Sequence, residues 1–135
     1  YKFDLEKFTN VAGKTGIYIQ YAQVRANKLI STLNVGEQSI SETSSKLDSL
    51  DRKLIIALAN IEFYLELSVK NSEPHHLANY LYEISNAFNA FYQASNIKNI
   101  EDKIKKNQKI LITALFIKYS HLVMSCLGIK PVEKM

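Results

Sequence analysis

One stretch constrains the fold more than any other. From Leu77 onward, Leu77, Leu81, Ile84, Phe88 and Phe91 recur at steps of three and four. That spacing gathers side chains on one side of an α-helix. Ser72-Glu73-Pro74 stands just before it, a capping Ser followed by a Pro that has no amide N–H to leave unbonded in the first turn. The pattern predicts a helix running to about Ser95, with one continuous apolar stripe that needs other elements to cover it.

The rest of the chain reads as more helix. A first helix is predicted from about Thr15 to Leu33, starting at Thr15 or Gly16. The string LIIALANIEFYLELSV at residues 54–69 is apolar almost all round, which predicts a buried helix or two short ones broken near Asn60. A last long helix is predicted from about Glu101 to Cys126, carrying Ile104, Leu111, Leu115 and Leu122 inward, with Gly128 as its left-handed stop. No Asn-Gly hairpin signal and no clean period-two run is present. The fold class is therefore all-α, a bundle of four to five helices. Residues 1–14 read as an extended lead-in anchored by Phe3, Leu5 and Phe8, residues 15–135 as the helical domain, and residues 34–49 as a mobile loop rich in Ser and Glu.

Composition narrows the class. Apolar residues make up 47% and charged residues 22%, a globular balance, and the single Cys excludes a disulfide scaffold. The longest strongly apolar run, Ile110–Ile117, falls well short of the roughly 20 residues of a membrane span. No basic-then-apolar leader opens the chain, and it begins with Tyr1 rather than Met, which suggests a segment of something longer; a reducing, cytoplasmic setting is expected. Net charge is +4, unevenly spread: residues 1–35 carry five basic and two acidic groups, residues 36–73 four and seven, and residues 96–118 six and two. Two positive ends around an acidic middle suit a polyanion, although solvated helix faces produce the same sums.

Catalytic signatures are missing. The four Gly residues are scattered and form no phosphate-binding loop. His75 and His76 are adjacent, so on a helix they point about 100° apart and converge poorly on a metal. His121 reads as a half-buried satisfied side chain, Cys126 as a packed thiol, and Glu62 with Glu66 as a solvated i,i+4 pair. The chain by itself does not read as an enzyme.

Aromatic residues point elsewhere. There are eight Tyr and six Phe with no Trp. Tyr18, Tyr21 and Arg25 stand at i, i+3 and i+7 and share one stripe of the first helix, and Tyr92 lies just beyond the apolar run of the central one. Rings and a guanidinium plane are surfaces on which unpaired bases stack. The plainer alternative is amphipathic Tyr residues capping the core with wet hydroxyls.

Four segments carry a resemblance. EPHHLANYLYEISNAFNAFY at residues 73–92 resembles the central helix of the C-terminal DALR anticodon-binding domain of class I arginyl-tRNA synthetases. TGIYIQYAQVRANKLI at 15–30 is similar to that family's TGPYLQYAHAR-type first helix, LGIKPVEKM at 127–135 to its terminus, and FDLEKF at 3–8 to the stretch leaving the catalytic domain. The four occur in the family's order and span nearly the whole chain. Departures are Glu62 where Pro is common, Lys109 where Arg is usual, Val123 for a common Gly, and Lys134 for the Arg before the terminal Met.

The resemblance implies a domain that holds the anticodon stem-loop of tRNA(Arg), while a catalytic domain elsewhere in the parent chain joins arginine to the tRNA using ATP with Mg. It implies no cofactor in this segment, no membrane association and a monomeric state. Arginine anticodons share a central cytosine, so a pocket would read that base. Tyr21 and Tyr92 match the family's anticodon-contacting Tyr positions and Met135 its terminal Met; Tyr18 and Arg25 share the Tyr21 stripe. Lys103, Lys105, Lys106 and Lys109 would then hold phosphates. The competing expectations are a helical protein-interaction adaptor, a metal or thiol enzyme built around His75, His76 and Cys126, and the related domain of a cysteinyl-tRNA synthetase.

Overall fold

The computed structural model describes residues 14–33, 46–71, 73 and 75–128. Five α-helices follow one another: α1 (Lys14–Leu33), α2 (Ser49–Ala59), α3 (Ile61–Asn71), α4 (His75–Ser95) and α5 (Lys103–Leu127), with a 3-10 turn at Ile97–Asn99 between the last two. The described residues form no strand, as the patterning required. The lead-in at 1–13, most of the loop at 34–45, Ser72, Pro74 and Met135 lie outside the described residues.

α4 is the hub, packing against α1, α2, α3 and α5. Its predicted stripe is the core: Leu77, Leu81, Ile84, Phe88 and Phe91 are all buried, joined by Tyr80. Against it α1 sets Ile19, Ala22, Ala26 and Leu29, a stripe whose two small alanines let the helices approach closely. Phe88 stacks on Phe116 of α5, with centroids 4.4 Å apart and planes 8° from parallel.

Helix ends follow local chemistry. Asp48 accepts from the Asp51 N–H at 2.8 Å and Asp51 accepts back from the Asp48 N–H at 3.3 Å, a reciprocal cap that starts α2 at Ser49. The break between α2 and α3 falls at Asn60, where the pattern placed it. Asp102 caps α5, accepting from the Ile104 and Lys105 N–H groups. Gly128 ends α5 at φ 73°, the left-handed stop expected of it.

Two expectations about depth are corrected. The apolar string over α2 and α3 is not buried throughout: Ile56, Phe63 and Val69 are 63%, 59% and 80% exposed. In α5, Ile104 and Leu122 face solvent and Leu111 and Leu115 are half-buried; the inward residues are Ile110, Ile112, Phe116, Val123, Met124 and Leu127. The true stripe was masked because it includes Thr113 and Ser120, whose hydroxyls donate to the Lys109 and Ile117 carbonyls at 2.9 and 3.0 Å and so need no water. Taken whole, α5 is also long and apolar enough to cross a membrane, with mean hydropathy 1.7 in its most apolar window. The unbroken run at 110–117 understated this, but Ile110, Ile112, Phe116, Val123, Met124 and Leu127 of α5 are part of the bundle core.

Candidate nucleic-acid interface

The candidate surface is assembled from α1 and α4. Helical spacing sets Tyr18, Tyr21 and Arg25 along one side of α1, and the two tyrosines are 43% and 44% exposed. Arg25 leans across to α4. Its Cζ lies 5.9 Å from the Tyr21 ring centroid and 5.4 Å from that of Tyr92, so one guanidinium is flanked by a ring from each helix. Tyr92 is half-buried and also meets Phe88 at 6.1 Å.

Asn89 fixes this arrangement. Its Oδ1 accepts from Arg25 Nη1 at 2.9 Å, and its Nδ2 donates to the Tyr18 carbonyl at 3.3 Å. One buried amide therefore ties the Arg25 side chain and the α1 backbone to α4. Sequence reading passed over Asn89, although a polar residue set between Phe88 and Phe91 on an apolar stripe was a usable signal.

The lysines divide. Lys103 and Lys105 are exposed at the start of α5, and Lys106 is half-buried with its Nζ donating to the Lys98 carbonyl at 3.4 Å. Lys109 is different. Its side chain is 2% exposed, and its Nζ donates to Asp48 at 2.5 Å and to Asp51 at 2.6 Å, while lying 5.2 Å from the Phe91 ring centroid. Burial pulls its pKa down, but the two carboxylates outweigh that and hold it above the ordinary value. An ammonium enclosed this way has no face left for a phosphate. The expected phosphate contact at Lys109 is therefore withdrawn.

The residues of the metal or thiol reading also fall differently. His75 and His76 do not diverge, because His75 opens α4: their rings lie 4.2 Å apart, and their Nε2 atoms stand 3.6 and 3.2 Å from Glu73 Oε2. Cys126 is exposed, not packed. His121 is half-buried as read, but its Nε2 has no hydrogen-bond partner among the described residues.

Comparison with known proteins agrees with this architecture. The family model for the DALR anticodon binding domain matches residues 19–135. An arginine–tRNA ligase of Actinobacillus succinogenes is 36% identical over 135 residues, covering 100% of this chain and 23% of that protein. One of Francisella tularensis subsp. novicida is 30% identical over 141 residues, covering 100% and 24%. The chain thus spans about a quarter of the length of the curated relatives it matches. Among solved structures, Thermus thermophilus arginyl-tRNA synthetase superposes with a TM-score of 0.77 at 21% identity over 89% of this chain and 21% of that one. Plasmodium falciparum arginyl-tRNA synthetase superposes with a TM-score of 0.70 at 28% identity over 100% and 24%.

Proposed function

The chain belongs to the DALR anticodon-binding domain family, and from that premise we propose that it holds the anticodon stem-loop of tRNA(Arg) for an arginine–tRNA ligase. The observation that carries this reading is the Arg25 guanidinium flanked by Tyr21 and Tyr92 on a surface shared by two helices. Exposed rings stack on unpaired bases, and a guanidinium adds donors for a base edge or a phosphate. Lys103, Lys105 and Lys106 supply sequence-independent attraction to the backbone.

Arginylation itself belongs, on this reading, to a catalytic domain outside these 135 residues. ATP and Mg would bind there: the Gly residues at 13, 16, 36 and 128 make no phosphate-cradling loop. The parent protein would act as a monomer in the cytoplasm, in translation. Met135 joins the proposal from the family match alone.

Binding to an arginine anticodon stem-loop, and to a copy with its central cytosine replaced, tests the reading. The chain should prefer the first by about tenfold, the order of one base-edge contact. Equal affinity for both loops, or none for either, would overturn it. The exposed Ile56, Phe63 and Val69 favour a second reading, a protein-interaction adaptor. Its signature would be a partner protein bound with no RNA affinity.

A further inference from the structure

The start of α4 gathers three side chains able to ligate a metal, all from the run Glu73-Pro74-His75-His76. A residue that precedes Pro is kept out of helical backbone, and Glu73 accordingly stands outside α4, which opens at His75. Glu73 is held from both sides. Its N–H donates to the Ser68 carbonyl of α3 at 3.1 Å, and its own carbonyl accepts from the His76 N–H at 3.4 Å. Its carboxylate reaches the first turn of α4, with Oε2 3.6 Å from His75 Nε2 and 3.2 Å from His76 Nε2. The two imidazole rings lie side by side, their centroids 4.2 Å apart. One donor atom from each of the three side chains falls within 4.8 Å of the other two.

We infer that Glu73, His75 and His76 form a binding site for one divalent transition-metal ion of the zinc class. Two atoms bound tetrahedrally at about 2.0–2.2 Å from zinc stand roughly 3.3–3.6 Å apart. The spacings of Oε2 from the two Nε2 atoms lie close to that range. Two imidazoles with one carboxylate suit zinc and disfavour magnesium or calcium, which take oxygen ligands. Three protein ligands leave a fourth position for water, and the exposed Glu73 and His75 side chains keep it open to solvent. The site is separate from the RNA surface: Tyr92 lies roughly four turns beyond His76 on the same helix, about 24 Å along its axis. The ion joins Glu73, which α3 holds through Ser68, to the first turn of the hub helix. It therefore clamps the α3–α4 junction and takes no part in catalysis.

Calorimetric titration of the untagged chain with zinc chloride tests the site, and one ion should bind per chain. Glu73→Gln, His75→Gln and His76→Gln should each weaken binding by at least about tenfold, the lower bound for losing a group that merely supports a ligand. His121 and Cys126 are the chain's other imidazole and its one thiol. A variant with His121→Gln and Cys126→Ser should therefore keep the affinity. Saturating zinc should also raise the urea midpoint of the unchanged chain, and not that of Glu73→Gln. Absence of zinc binding, or an affinity that the three substitutions leave untouched, would overturn the site and leave Glu73 as a hydrogen-bond acceptor for two imidazoles. Affinity lost in the His121 and Cys126 variant would overturn it equally. A urea midpoint that saturating zinc does not move would overturn the clamp. Circular dichroism confirms that each variant is folded.

Discussion

Lys109→Met separates a structural lysine from a ligand-binding one. Met retains the apolar stem, so little cavity is opened, and the change removes mainly the ammonium. What remains is Asp51, whose side chain is 1% exposed and which then keeps, among the described residues, the Asp48 N–H at 3.3 Å. Stranding a buried charge by deleting its partner costs about 3–5 kcal/mol. Asp48 is half exposed and recovers solvation from water, so it adds little. A loss of that size is a large part of the roughly 5–15 kcal/mol that keeps a domain folded. Urea unfolding followed by far-UV circular dichroism measures it, and the slope should not change. Replacing Asp51 by Leu in the same chain should restore much of the loss, since an apolar pair can substitute for a buried ionic one. A loss below about 1 kcal/mol, in the range of exposed ion pairs, would refute the buried-charge account and return Lys109 to the surface.

Further outcomes follow from the same contacts. Burial raises the Asp48 pKa, but the Lys109 hydrogen bond and the Asp51 and Leu50 N–H groups more than offset it, so the carboxyl sits below 3.8. Its contribution is present above pH 3.8 and fades as pH falls through the folded value. Lys109 is held above 10.5, so its contribution is full below pH 10.5 and fades as pH rises through the folded value. Urea midpoints across pH should show both limbs, and Lys109→Met should flatten them; limbs that persist in that variant would assign them to other groups. Tyr92→Ala should weaken anticodon-loop binding by about 1–3 kcal/mol while leaving the chain folded, and unchanged affinity would remove Tyr92 from the interface. Lys105→Gln with Lys106→Gln should flatten the dependence of RNA affinity on salt concentration, because fewer counterions are released; an unaltered slope would leave them as solvating residues. Tyr80→Phe should cost about 1 kcal/mol in the same urea assay by deleting the 2.9 Å hydrogen bond to the Leu58 carbonyl, and a neutral result would mean that the bond adds nothing net.

Legibility in the sequence tracked how much polarity broke the pattern. The apolar stripe of α4 was readable because it stands alone on that helix, and every member of it is buried. α5 was readable as a helix but not in register: ILITALFI at residues 110–117 is apolar on most sides, and the buried Thr113 and Ser120 look like solvent positions. The break at Asn60 was visible, yet the exposure of Phe63 and Val69 depends on which neighbours cover α3, which no local pattern states. At the site, the spacing of Tyr18, Tyr21 and Arg25 gave one stripe from sequence alone. The meeting of Arg25 with Tyr92 across two helices could only come from resemblance or coordinates. Lys109 misled because a charge count records sign and not depth, and its acidic partners lie 61 and 58 residues away.

The Asn89 amide grips α1 and α4 at once, through Arg25 and through the Tyr18 carbonyl. A grip of that kind makes recognition and helix docking one cooperative event. If α1 swings away from α4, the rings part before the bundle has melted, and warming should abolish RNA capture at a lower temperature than it erases helicity.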